Sequence, residues 1–169
     1  MRHAALTVLL AAAPLWSQPA PPAADAFAPV RFLAGEWSGE GDGKPGAATG
    51  SASFRFDLDG KVLVRRSFAD YPAANGRPAS RHEDLMTVFV EGGQLKAFYV
   101  DNEGHVIRYL VAPVPGGAVF TSEPAPGPRF RLTYLQKPET VVALRFEIAP
   151  PGKPEAFSTY LEASTRKVK

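Results

Sequence analysis

The sequence predicts an all-β chain folded as a single antiparallel up-and-down β-barrel of about ten strands. Three observations carry this. No segment repeats its apolar residues at the helical period, whereas short alternating runs recur along the chain. The runs are joined mostly by hairpin-length turn clusters, with no long crossover. Gly35-Glu36-Trp37 opens the first run and Arg166 lies in the last. An aromatic residue and a cation at the two ends suggest a sheet that closes on itself and leaves no free edge.

The elements follow in order. A single helical turn is expected near Pro29 to Ala34, before Gly35. The first strand starts at Trp37, and Ser51 to Leu58 follows with Phe54, Phe56 and Leu58 on one face. Asp57-Leu58-Asp59-Gly60-Lys61 reads as a turn, with Gly60 free to adopt positive φ. Val62 to Tyr71 comes next, then a Pro-rich loop from Pro72 to Ser80. Glu83 to Val90, Gln94 to Asp101 and His105 to Ala112 are separated by Glu91-Gly92-Gly93 and Asn102-Glu103-Gly104. Ala118 to Glu123, Arg129 to Gln136, Thr140 to Ala149 and Phe157 to Val168 complete the set. Phe130, Leu132 and Tyr134 share a face, as do Val142, Leu144, Phe146 and Ile148.

The N-terminal residues 1–26 read as a secretory signal followed by a Pro/Ala-rich segment, and 27–169 as the barrel domain. Arg2 supplies a positive start, and Ala4 to Leu15 is an apolar run of about a dozen residues, too short to span a bilayer. Ala24-Asp25-Ala26 is one cleavage candidate and Ser17 an earlier one. The expected destination is the periplasm or the extracellular space, with no membrane span in the mature protein. The chain has no cysteine, so disulfides and thiolate metal sites are excluded and the domain must hold itself by its core. The 19 basic and 17 acidic residues are interspersed, and Arg166-Lys167-Val168-Lys169 is the one basic cluster. It reads as a solvated tail and not as a nucleic-acid surface.

Phe32-Leu33-Ala34-Gly35-Glu36-Trp37-Ser38-Gly39-Glu40-Gly41 resembles the opening of the nitrobindin-like, haem-binding β-barrel group of the calycin superfamily, through Gly35, Trp37, Gly39 and Gly41. Tyr160-Leu161-Glu162-Ala163-Ser164-Thr165-Arg166-Lys167 is similar to that group's last strand. The resemblance implies a lipocalin-like barrel in which Arg166 lies across the Trp37 indole. It also implies a haem-binding His near the start of the last strand. Tyr160 stands at that position here, which leaves haem as a possible cofactor only if a phenolate or another group can serve.

Several residues are of types that carry chemistry. Arg66 interrupts an apolar face of Val62, Val64 and Phe68 and needs Glu162, a ligand carboxylate or the solvent at the barrel mouth. His82-Glu83-Asp84 could turn His82 and Asp84 to one side, a weak metal site unless a third ligand such as His105 joins them. Tyr99 and Asp101 share one face, and His105, Ile107 and Tyr109 share another on the next strand. If these faces are inward, they form a polar cluster in a cavity; if outward, they are surface residues. The expected function is the binding of a small, largely apolar molecule by Arg66, His82, Tyr99, Asp101, His105, Tyr109 and Tyr160, with no metal assigned. The alternatives are a haem protein, an acid/base enzyme using His105 and Asp101, and an interaction module with an apolar outer patch. No nucleophile elbow, phosphate loop or dinucleotide fingerprint is present.

Overall fold

Ten strands alternate with tight turns until the last pairs with the first. In the computed structural model, which describes residues 25–40, 49–74, 76–138 and 140–168, the strands are β1 (Gly35–Glu40), β2 (Thr49–Asp57), β3 (Val62–Tyr71), β4 (Ser80–Glu91), β5 (Gln94–Asp101), β6 (Val106–Val114), β7 (Gly117–Ser122), β8 (Arg129–Lys137), β9 (Val141–Ala149) and β10 (Ser158–Lys167). Every neighbour in sequence is a neighbour in space, and β1 pairs antiparallel with β10 to close the barrel. The up-and-down barrel expected from the turn spacing is therefore the fold. The leader, both cleavage candidates except Asp25-Ala26, and Gly41 lie outside the described residues. No helix among the described residues is long and apolar enough to cross a membrane.

One end of the barrel is plugged. A 3-10 turn, Ala28–Leu33, precedes β1 and buries Val30 and Leu33 in the core. Gly35 then takes φ 134°, a conformation a side chain would strain, so the chain can swing from the turn into the strand. The Trp37 indole, buried on the inner face, donates from Nε1 to the Leu33 carbonyl at 2.7 Å and ties the plug to β1. Phe27 packs edge-on against Phe56 at 5.5 Å on the same end.

Alternation fills the interior. Phe54, Leu63, Met86, Val88, Ala97, Tyr109, Phe120, Leu132, Tyr134 and Val142 face inward and are buried. Phe120 sits edge-on to both Tyr109 (6.3 Å) and Tyr134 (5.7 Å), and Tyr134 to Phe54 (5.8 Å). This lower half is a packed core and not a pore, as expected for a small barrel filled by its own side chains.

The outer wall is apolar along part of its girth. Val64, Phe68, Leu85, Phe98 and Val100 are half-buried there, and Val106 and Leu110 are exposed. β10 carries an irregularity between Thr159 and Leu161, which leaves Tyr160 outside the ladder. On the outer face, Arg131 grips Glu147 with two bonds of 2.7 Å and lies over the Phe157 ring at 4.2 Å, holding the loop before β10 to the wall.

Candidate functional site

The upper half of the barrel differs from the plugged half. Tyr99, Ile107, Phe130, Leu144 and Phe146 also face inward but keep part of their surface exposed. They line the end at which β3 leads into β4, β5 into β6, β7 into β8 and β9 into β10. Phe130 and Phe146 stack with centroids 6.0 Å apart and planes 7° apart, forming a flat aromatic shelf. Tyr160 meets the edge of that shelf at 6.1 Å, yet is 74% exposed.

Facing this shelf is a polar floor on β3, β4 and β5. Strand alternation directs Leu63, Arg65 and Ser67 inward, because Arg65 is the register partner of buried Phe54. The expectation for Arg66 is thus corrected: Arg66 is exposed on the outer wall, and its neighbour Arg65 is the interior cation. Glu162 pairs with Arg145 on the outside at 2.7 Å. The Arg65 side chain is 11% exposed and donates from Nη2 to Asp84 Oδ2 (3.1 Å) and to Ser67 Oγ (3.0 Å). Burial works against the Arg65 charge, but Tyr134, Asp84 and Tyr99 around it outweigh that and raise its pKa. Burial pushes the Tyr134 phenol up to about 12 and drives those of Tyr99 and Tyr109 higher still, so all three remain protonated donors.

A second chain of contacts runs from this floor to the rim. Tyr99 donates to Asp101 Oδ2 (3.1 Å), and His82 Nε2 lies 3.1 Å from the same hydroxyl. Since the phenol gives its proton to Asp101, it accepts from His82. The other imidazole nitrogen, Nδ1, is 3.2 Å from Glu103 Oε1. His105 Nδ1 reaches Asp101 Oδ2 at 2.8 Å. The second Asp101 oxygen accepts the backbone N–H groups of Glu103 and His105 at 3.0 and 2.9 Å. Burial works to raise the Asp101 pKa, but these donors outweigh it and hold the carboxyl below its ordinary value.

The local sequence builds this arrangement. Gly104 takes φ 89°, which turns the chain back after Glu103. Asn102 clips the turn to β4, accepting from the Glu83 N–H (3.0 Å) and donating to the Arg81 carbonyl (2.9 Å). The turn is thereby held beside His82.

Of the residues singled out from sequence, His82, Tyr99, Asp101, His105 and Tyr109 are brought together on the inner face or its rim. Arg66 lies on the outer wall, and Tyr160 stands apart at the shelf edge. Asp84 stands 3.8 Å from His82, on the side expected for it, and Arg65, Glu103 and Tyr134 belong to the cluster without having been assigned to it. The cation over the Trp37 indole is Lys167, with Nζ 5.4 Å from the ring; Trp37 and Lys167 are register partners, whereas Arg166 pairs with Ser38 and is exposed on the other face.

Neither Tyr160 nor His82 is placed as a haem ligand. The Tyr160 phenol stands in solvent and both nitrogens of His82 face polar partners; His105 gives Nδ1 to Asp101 and keeps Nε2 at the exposed rim, outside the aromatic shelf. No family model matches the chain, and no curated protein compared with it is significantly similar.

Proposed function

We propose that the chain is an exported, calycin-like barrel that binds one small molecule in its upper half. The observation that carries this is a set of buried polar atoms with no hydrogen-bond partner: Arg65 Nε, Asp84 Oδ1 and the Tyr134 hydroxyl. Buried polar groups are almost always satisfied by protein, water or ligand. Here a donor, an acceptor and a hydroxyl are left unpaired and closed off from solvent, beside the partly exposed Tyr99, Ile107, Phe130, Leu144 and Phe146, so side chains must move for a ligand to reach them. A ligand with an apolar body and an uncharged end carrying both a donor and an acceptor matches them. Its body would lie against Phe130, Phe146, Ile107 and Leu144. An anionic end is less well matched, because Asp84 already neutralises Arg65.

Native mass spectrometry of the protein purified from its own host tests this reading. A single bound mass below the size of a peptide, lost on Leu144→Trp, supports it. A barrel that carries no mass and takes up no apolar probe would sink it.

A second reading has one observation in its favour. Asp101, with 2% of its side chain exposed, orients His105, whose ring is half-exposed at the mouth. A carboxylate holding an accessible imidazole is the arrangement of a general base. Turnover of a panel of aryl esters, lost in His105→Gln with the fold intact, would support it; no turnover across the panel counts against it.

A further inference from the structure

We propose that the rim of the barrel binds one divalent transition-metal ion, with zinc the best match, through His82, Asp101 and Glu103. One donor atom from each of these three residues lies within 4.8 Å of the other two. His82 Nδ1 and Glu103 Oε1 are already 3.2 Å apart. Donors on a single tetrahedral zinc are about 3.4 Å apart at ordinary Zn–N and Zn–O bond lengths, so short side-chain movements gather the set. Nitrogen and carboxylate donors without thiolate suit zinc and its borderline neighbours rather than soft ions.

Two further observations point to a cation. Asp84 and Asp101 are direct cross-strand partners on β4 and β5, and their side chains are only 3% and 2% exposed. Like charges placed opposite one another destabilise a sheet. Arg65 answers one of the two, while Glu103 adds a third carboxylate to the group. Asp84 Oδ1 is buried without a partner, and its other oxygen is 3.8 Å from His82 Nε2. The carboxylates therefore outnumber the fixed cations, with Asp84 and Asp101 shielded from water and Glu103 exposed at the rim.

The outer contacts have the polarity a metal site requires. A metal-bound imidazole donates its second N–H to a neighbouring acceptor. If Nδ1 of His82 turns to the ion, Nε2–H already faces the Tyr99 hydroxyl. Asp101 is held by two backbone N–H groups and by His105, leaving it little freedom. Three protein ligands leave a coordination position open toward the mouth, as in zinc sites that bind a further molecule. This inference shares the unpartnered Asp84 Oδ1 with the ligand proposed for the floor and otherwise rests on His82, Asp101 and Glu103.

The test uses tag-free protein, stripped with a chelator, titrated with zinc chloride by calorimetry and with cobalt(II) by visible absorption. One ion per chain is expected. His82→Ala, Asp101→Asn and the exposed-site variant Glu103→Gln should each weaken binding at least about tenfold, whereas Glu83→Gln on the outer face should not. No saturable one-to-one binding would overturn the proposal. So would binding that is unchanged in both His82→Ala and Glu103→Gln, or that is lost only in His105→Ala.

Discussion

Asp84 and Asp101 face each other across β4 and β5 with both carboxylates turned into the barrel, and each is held by a different set of donors. Arg65 serves the first; Tyr99, His105 and two backbone N–H groups serve the second. The polar floor is thus two joined networks, and each can be perturbed separately.

Arg65→Met should unfold the protein more easily than its lost contacts alone suggest, because it strands the buried Asp84 charge. The expected cost is about 3–5 kcal/mol, as for other buried pairs broken on one side. Arg65→Met combined with Asp84→Asn should recover part of it, since the uncompensated charge is gone. Urea denaturation of the single and double variants measures both.

Asp101 should make stability depend on acid pH. Its folded pKa lies below the unfolded value, so its contribution is fully present above about pH 4, the ordinary carboxyl range, and disappears as pH falls through the folded value. Glu147, held down chiefly by the Arg131 hydrogen bonds, adds to the same trend. Denaturation curves recorded from neutral to strongly acid pH should show a smaller loss in Asp101→Asn than in the parent. An equal loss in both would show that Asp101 is not responsible.

Trp37→Phe should cost about 1–3 kcal/mol by leaving the Leu33 carbonyl without its donor. Lys167→Ala should cost less, about 0.5–1 kcal/mol, the magnitude of an exposed cation–π contact. Thermal denaturation of the two variants checks this order, and the reverse order would place the closure of the barrel in the cation and not in the indole.

The fold was legible because the turn residues punctuate the alternation so regularly. Gly60, Gly92, Gly93 and Gly104 all take positive φ at the turns where the sequence expects them. The interior was less so. On β3, Val62, Val64 and Phe68 look like a core face, yet they belong to an apolar outer wall, and Leu63, Arg65 and Ser67 point inward. Alternation separates two faces without saying which is inside. The missing signal was the hairpin register: once Phe54 is assigned to the core, pairing across the 57–61 turn places Arg65 beside it. Glu103 was passed over because it reads as a turn residue, and Tyr134 because it reads as core. Lys167 was missed by one position, the smallest shift that reverses a face.

Phe120→Ala and Phe130→Ala should separate the two halves of the barrel. Phe120 is fully buried in the packed half, so its truncation should cost about 3–5 kcal/mol. Phe130 is only partly buried on the shelf; its truncation should cost less and act on binding. Chemical denaturation alongside probe titration gives both readings.

Titration with the uncharged apolar dye N-phenyl-1-naphthylamine reads directly whether the upper half of the barrel admits a small molecule. One saturable site per chain is expected, blocked by Leu144→Trp from within and indifferent to Val106→Ser on the outer wall. Dye binding that ignores Leu144→Trp but falls with Val106→Ser would place the site on the outside, and no saturable binding at all would contradict an open barrel.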